Sequence, residues 1–142
     1  MKLKMISKSG ILPKYETAGS AGFDIRAYIE EPMTLAPGER KLVPTGLYFQ
    51  LEPGCAAQVR ARSGLAIKKG IGLVNGIGTI DSDYRGEFMI VLHNHGTVPQ
   101  TVAHGERIAQ LVITPVFTPG FVETAALSDT VRSGGGFGST GK

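Results

Sequence analysis

Residues 57–62, Ala-Gln-Val-Arg-Ala-Arg, alternate small or apolar side chains with polar ones at every second position. Residues 23–27, Phe-Asp-Ile-Arg-Ala, repeat this alternation nearer the start of the chain. Because successive side chains of a strand point to opposite faces, a period of two predicts strands with one buried face and one wet face. Both stretches therefore favour an all-β fold.

Further apolar, β-branched runs lie at 42–51, 87–94 and 107–116, each bounded by turn-forming residues. Gly-containing turn pairs begin at positions 37, 53, 75, 95 and 119, and only 64–69 predicts a short helix. With 20 glycines in 142 residues, the chain is predicted to form many short strands in one domain. A jelly roll or a related two-sheet barrel is the expected architecture.

Composition excludes several classes of function. Fifteen basic residues against twelve acidic ones give a net charge of +3, spread along the chain, so no direct nucleic-acid binding is expected. A single cysteine excludes an intramolecular disulfide, and no apolar run reaches the length of a signal peptide or a membrane span. We expect a cytoplasmic protein, or a nuclear one that enters by diffusion, with no membrane association.

The segment 132–142 is rich in glycine, with five glycines in residues 134–141. We expect a flexible arm here, following a domain over 1–131, because such a composition does not bury itself. Residues 136–142 match a phosphate-loop pattern, although no helix follows it. Backbone N–H groups of Gly, Ser and Thr nevertheless suit a phosphate, and Phe137 suits stacking on a base. A simple linker is the alternative.

Two carboxylates, Asp81 and Asp83, lie two residues apart beside Tyr84 in the segment 78–87. In a strand both would share one face, where they are suited to hold a hard cation or to provide a general base. The alternative is an ordinary polar hairpin, because Asn75-Gly76 is a strong turn signal.

Arg60 and Arg62 share one wet face just before Ser63-Gly64 and the predicted helix. The forked guanidinium group of arginine is suited to bind phosphate, and so are the N–H groups at the start of a helix. Surface arginines on an ordinary strand are the alternative.

Other titratable residues give weaker signals. His93 and His95 have a spacing that suits metal binding, but no third ligand accompanies them, so a structural role is favoured. His104 precedes a glycine and is interpreted as part of a turn. Cys55 has no cationic flank that would activate its thiol.

In chain order these segments resemble the five motifs of the trimeric dUTPase family, over nearly the whole chain. The resembling segments are 21–27 (AGFDIRA), 62–66 (RSGLA), 78–87 (GTIDSDYRGE), 105–111 (GERIAQL) and 132–141 (RSGGGFGSTG). Ala61 stands where the family often has proline, and the last segment reads RSGGG where RGSGG is commoner. Both departures put loop stiffness in doubt rather than chemistry.

The resemblance implies a distorted jelly roll (β-clip) that forms a homotrimer, with three active sites each built from three subunits. It implies Mg²⁺-dependent hydrolysis of dUTP to dUMP and pyrophosphate, which limits uracil incorporation into DNA and supplies dUMP for dTTP synthesis. Asp81 would be the base that orients the attacking water. Tyr84 would pack on the deoxyribose and exclude a 2′-hydroxyl.

The same resemblance assigns the remaining site residues. Asn75 and the backbone of a 75–80 hairpin would read uracil; Gly78, Ile80 and Met89 would also contact substrate; Arg62, Ser63, Gly64 and Gln110 would hold phosphates. In the arm, Arg132 and Phe137 would cover the base while Gly138, Ser139 and Thr140 meet the γ-phosphate. Asp24 would act in the second shell of Mg²⁺ through water, or by fixing Arg26 or Arg62.

Two alternatives accompany this interpretation. A dCTP deaminase resembles the family in fold and in the arginine-serine motif, but it would need a glutamate near the base. A nucleotide-sensing regulatory protein would bind dUTP and signal through its ordered arm.

Overall fold

The computed structural model describes residues 2–136, which fold mainly into short antiparallel strands. In chain order the strands are β1 (Lys4–Ser7), β2 (Phe23–Arg26), β3 (Met33–Leu35), β4 (Arg40–Gln50), β5 (Cys55–Arg60), β6 (Ile71–Leu73), β7 (Gly78–Ile80), β8 (Phe88–Asn94), β9 (Gln100–Val102) and β10 (Arg107–Pro115). The one helix in the described part of the chain is α1 (Ser63–Lys69).

Two four-stranded sheets form the body of the molecule. One has the order β1-β4-β8-β6 and the other β2-β10-β5-β7, while β3 and β9 form a separate pair. Their inward faces share one apolar core that includes Ile25, Leu92 and Leu111, all fully buried. This is the all-β jelly-roll arrangement that the alternating sequence predicts.

The predicted strands and helix are confirmed with small shifts of their ends. The runs at 42–51, 87–94 and 107–116 become β4, β8 and β10, and the helix begins at Ser63 instead of Gly64. It ends at Lys69 and is followed by Gly70, which has the left-handed conformation (φ 64°) and donates its N–H to the Ala66 carbonyl. A glycine is favoured there because other residues rarely adopt this conformation.

The 75–80 hairpin is a wrong prediction. Asn75-Gly76 does form a turn, but β6 before it pairs with β8, and β7 after it pairs with β5. The turn therefore carries the chain from one sheet to the other. A turn signal in the sequence fixes a change of direction and does not fix the partner strand.

After Pro115 the described chain leaves the core. Residues 116–134 are exposed throughout, including Phe117 at 93% and Phe121 at 99% of their accessible surface. The separation from the core thus begins before the predicted boundary at 131. Within residues 2–136, no helix has the length and apolar character needed to span a bilayer.

Candidate active site

The loop between β7 and β8, residues 81–87, is held in shape by its own hydrogen bonds. The Tyr84 N–H donates to the Asp81 carbonyl at 3.3 Å, and the Arg85 guanidinium donates to the carbonyls of Ser82 and Tyr84 at 2.7 and 2.8 Å. The prediction that Asp81 and Asp83 share a strand face is therefore wrong, since β7 ends at Ile80.

Tyr84 folds back over the end of this loop. Its hydroxyl donates to the Glu87 carbonyl at 3.0 Å, and its ring lies across Gly86. A Cβ atom at Gly86 would stand 2.3 Å from the Tyr84 hydroxyl oxygen, so the close approach requires glycine. Tyr84 remains 46% exposed, which leaves it available to a ligand.

A cleft of about 380 Å³ opens beside the loop. It is lined by Leu42, Thr79, Ile80, Asp81, Tyr84, Glu87, Phe88 and Met89. Four of the predicted site residues, Ile80, Asp81, Tyr84 and Met89, are thus brought together in one cleft. The sequence interpretation missed Leu42, which is 55% exposed on β4; its only signal was an apolar residue on the wet face of a strand.

A second cluster of predicted residues centres on Asp24. Its two carboxylate oxygens accept hydrogen bonds from Arg62 Nε at 2.9 Å and from Arg107 Nη1 at 3.0 Å. Arg62 Nη1 also donates to the Arg107 carbonyl at 3.1 Å. Asp24 therefore contacts Arg62 and not Arg26, whose guanidinium donates to Gly105 instead. Sequence reasoning gave Arg107 no role, although it lies in one of the resembling segments.

The other predicted phosphate ligands lie beside this cluster. Gln110 pairs with Asp24 across β10 and β2, and its side-chain amide donates to the Ala61 carbonyl at 3.4 Å. Ser63 and Gly64 begin α1, where no side chain caps the helix start. The first N–H groups of a helix have no partner within it, so they are available to an anion.

Asn75 and Gly78 lie at the crossing between the sheets. Asn75 is exposed, while Gly78 is buried and pairs with Val59 on β5. A Cβ at Gly78 would stand 3.1 Å from both the Asn75 amide nitrogen and the Val59 side chain. Glycine at 78 therefore allows the Asn75 side chain to pack closely against the strand.

The cleft and the Asp24 cluster are at opposite ends of β5. Ile80, at the cleft, is opposite Ala57, whereas Arg62 lies five residues further along in extended backbone (φ −92°, ψ 126°). At roughly 3.3 Å per residue this is about 17 Å of chain. Within one chain, Asp81 and the predicted phosphate ligands are thus separated.

A larger pocket of about 460 Å³ lies between residues 9–16 and the rings of Tyr28 and His104. Of the predicted site residues, only Asp24 lines it. This pocket therefore does not bring the predicted site residues together, and the 380 Å³ cleft remains the better candidate for the active site.

The histidines take local roles. His93 Nδ1 and His95 Nδ1 are hydrogen-bonded to each other at 3.0 Å, and His104 Nδ1 lies 2.9 Å from the Ile29 carbonyl oxygen. In residues 2–136 there is no group of three His, Cys, Asp or Glu side chains that could hold a metal ion.

In the arm, Arg132 is exposed and its Nε donates to the Gly135 carbonyl at 2.8 Å. The predicted ligands Phe137, Gly138, Ser139 and Thr140 lie outside the described residues.

Comparisons with known proteins agree with the resemblance. A model of the dUTPase family matches residues 8–141. Deoxyuridine 5′-triphosphate nucleotidohydrolase from Anaeromyxobacter sp. is 60% identical over 92% of this chain and 88% of its own, and that from Rhizobium rhizogenes is 54% identical over 92% and 85%.

Solved structures extend the comparison. Staphylococcus bacteriophage 80alpha dUTPase with dUPNHPP superimposes with a TM-score of 0.89 at 26% identity, covering 99% of both chains. A variant dUTPase from phage phi11 of S. aureus, described as coordinating a structural Mg(II) ion, gives a TM-score of 0.81 at 21% identity, over 91% of this chain and 100% of that one. At that identity the second match supports the fold alone.

Proposed function

This chain belongs to the dUTPase family and is an enzyme that hydrolyses dUTP to dUMP and pyrophosphate, and we propose that its active sites are each assembled from three copies of the chain. The family match sets aside a dCTP deaminase. The arrangement of the site within one chain supports the proposed assembly.

The observation that carries the proposal is the separation of the two clusters along β5. A water activated by Asp81 has to reach the α-phosphorus within about 3–3.5 Å. Arg62 lies about 17 Å of extended chain from the strand position that faces the cleft. A second copy that brings its Asp24–Arg62 cluster to the cleft of the first would complete the site.

The exposed segment 116–131 supports the same assembly. It carries several large apolar side chains that have no core in their own chain, namely Phe117, Phe121, Val122, Leu127 and Val131. Exposed apolar surface of this extent typically marks an interaction site. We propose that a neighbouring copy covers it, which would also deliver the arm at 132–142 to a site on another subunit.

Asp81 is proposed as the general base. It is exposed at the cleft, its own carbonyl accepts the Tyr84 N–H, and the Arg85 guanidinium holds the next carbonyl, that of Ser82. Its carboxylate would orient a water for in-line attack on the α-phosphorus and accept the proton as the P–O bond to pyrophosphate breaks. Asp83, also exposed, has no assigned step.

Substrate selection is proposed to rest on shape at the cleft. The Tyr84 ring would lie against the deoxyribose and leave no room for a 2′-hydroxyl. Asn75 and the backbone around Gly78 would form hydrogen bonds with the edge of uracil. The thymine methyl group would not fit there, and the amino group of cytosine would not match these hydrogen bonds. Ile80, Met89 and Leu42 would supply apolar contacts around the nucleoside.

Phosphate binding is proposed for the Asp24 cluster. Asp24 fixes Arg62 from one side, and the Arg107 carbonyl fixes it from the other, so the guanidinium is held in one orientation. An arginine held in this way loses little entropy when it binds a phosphate. Gln110 and the N–H groups at Ser63 and Gly64 lie beside it.

The family depends on Mg²⁺, and the residues present fit such an ion when it is held largely by substrate. Mg²⁺ commonly takes one or two carboxylates together with phosphate oxygens and waters. Asp24 suits a contact through water, because arginines occupy both of its oxygens. Bound with the triphosphate, Mg²⁺ would neutralise charge on the phosphate oxygens and ease the departure of pyrophosphate.

For the arm, we propose that Arg132 and Phe137 cover the base and that Gly138, Ser139 and Thr140 contact the γ-phosphate. Closure of the arm would exclude every water except the nucleophile. The glycine-rich sequence supports this role, since it leaves successive N–H groups free to follow a phosphate.

Tyr84→Ala is expected to weaken discrimination between dUTP and UTP, because the ring that excludes the 2′-hydroxyl is lost. We expect the ratio of kcat/KM for dUTP to that for UTP to fall by roughly tenfold or more. Tyr84→Phe keeps the ring and removes only the hydroxyl, so it separates the loss of the ring from the loss of its hydrogen bond to the Glu87 carbonyl. An unchanged ratio in Tyr84→Ala would contradict the role.

The function is tested by pyrophosphate release from dUTP, dCTP, dTTP and UTP, with Mg²⁺ and with EDTA, beside a measurement of the mass in solution. Release from dUTP alone, lost in EDTA, with a mass of three chains is the expected result. A monomer of full activity would overturn the shared site. Binding of dUTP without release would favour a nucleotide-sensing regulator, and ammonia from dCTP would favour a deaminase.

A further inference from the structure

Glu87, the last residue of the 81–87 loop, is the most firmly held carboxylate near the cleft. Its Oε1 accepts the Gly46 N–H at 2.9 Å, and its Oε2 accepts Lys8 Nζ at 2.9 Å and the Tyr48 hydroxyl at 3.1 Å. Only 12% of the side chain is exposed. Glu87 is not among the predicted site residues, and no step of the proposed reaction uses it.

Gly46, which donates to Oε1, lies where β4 departs from regular pairing. The register of β4 against β8 shifts between Pro44 and Leu47, which marks a β-bulge at this point. Gly46 has a φ of 65°, and a Cβ there would stand 2.9 Å from the Tyr28 ring. Its carbonyl also accepts the Lys8 N–H at 2.8 Å. The bulge thus ties β1, β4 and Glu87 together.

The charges of Glu87 and Lys8 favour the contact between them. Burial opposes ionisation of the Glu87 carboxyl, but its three hydrogen bonds outweigh that effect and hold its pKa below the ordinary value. Hydrogen bonds with Tyr48 and then with Glu87 raise the pKa of Lys8. Both groups are therefore charged at neutral pH, so the contact persists under the conditions of an activity assay.

The main chain of the same residue holds Tyr84. The Glu87 carbonyl accepts the Tyr84 hydroxyl, and the next residue, Phe88, has its carbonyl bound by the Thr45 hydroxyl from the bulge. The Glu87 side chain and the Phe88 carbonyl are thus both bound to β4. These two contacts flank the Glu87 carbonyl, which accepts the hydrogen bond from Tyr84.

We propose that Glu87 is a positioning residue: its side chain anchors it to the β4 bulge, and its carbonyl then holds the Tyr84 hydroxyl in place. In this way Glu87 sets the discrimination between deoxyribose and ribose. This inference rests on the proposed function, because it takes Tyr84 as the residue that contacts the sugar. Glu87 itself is one of the residues that line the cleft, and it acts through Tyr84.

The test compares Glu87→Ala with Glu39→Ala. Glu39 is a matched control because its carboxylate also accepts a backbone N–H, that of Ala36 at 2.8 Å, and also contacts a lysine, Lys41 at 3.4 Å. It lies at the opposite end of the β4–β8 pair, next to Arg40, which is opposite His93. Both variants remove a similar local contact, but only one of them is joined to Tyr84.

We expect Glu87→Ala to lower the ratio of kcat/KM for dUTP to that for UTP by roughly tenfold, as a displaced ring would. Glu39→Ala should leave this ratio unchanged even where its Tm falls. Glu87→Gln should restore most of the ratio, because its amide oxygen still accepts the Gly46 N–H. Lys8→Met also leaves that bond in place and removes only the lysine contact, so it should likewise keep most of the ratio.

The outcomes separate this inference from the proposed function. If the wild type and Tyr84→Ala behave as proposed but Glu87→Ala keeps the wild-type ratio, only the positioning role is overturned. A wild-type chain that hydrolyses UTP as readily as dUTP would overturn the role of Tyr84 and this inference with it. Equal losses of ratio in Glu87→Ala and Glu39→Ala would show a general effect of stability and also contradict the role.

Discussion

Asp81→Asn is expected to abolish turnover of dUTP while dUTP still binds. The substitution keeps the size of the side chain and its place in the loop, but an amide does not accept the proton of the attacking water. General base catalysis typically contributes about 10²–10⁴-fold, so we expect kcat to fall by at least two orders of magnitude. The backbone of the loop should be unchanged, because its hydrogen bonds use the Asp81 carbonyl and the Arg85 side chain.

Single-turnover hydrolysis and equilibrium binding of dUTP are the measurements. Asp83→Asn is the matched control, because Asp83 is exposed in the same loop two residues away. The control should retain most of its activity. Undiminished turnover in Asp81→Asn would exclude it as the base, and a loss confined to Asp83→Asn would move that role to the neighbouring carboxylate.

Much of the fold is predictable from the sequence because strand alternation reports directly which face is buried. The runs that became β4, β8 and β10, and the short helix, required no knowledge of their partners. The hairpin at Asn75-Gly76 failed for the opposite reason. Pairing is decided by tertiary packing, and here β6 and β7 belong to different sheets.

The candidate site also has features that the sequence predicts and others that only tertiary packing decides. Asp81, Tyr84 and Arg62 could be proposed as site residues because their segments resemble those of a family in residue type and order. The contacts that hold them could not, because they join distant parts of the chain: Arg107 is 83 residues from Asp24, and Glu87 is 41 residues from Gly46. The sequence does not distinguish a loop from a strand at 81–87, because side-chain hydrogen bonds from Arg85 to the backbone leave no trace in the alternation.

Truncation after Arg132 is expected to leave a folded trimer of severely reduced activity. Ser133 and Gly134 are exposed, and the only hydrogen bonds in the described part of the removed segment join residues 130–135 to one another. Within residues 133–136, the truncation therefore removes no hydrogen bond to the core. Misplaced or missing closing elements cost on the order of a hundredfold in rate, and we expect at least that fall in kcat/KM with an unchanged Tm.

A mixture of two defective chains makes this test decisive. Asp81→Asn chains keep their arms, and truncated chains keep their base. If arm and base of one site come from different copies, trimers formed by refolding the two chains together should regain activity that neither has alone. If each chain uses its own arm and its own Asp81, no mixed trimer contains a complete site. Activity on mixing would therefore establish the shared site, and its absence in verified mixed trimers would overturn the proposed assembly.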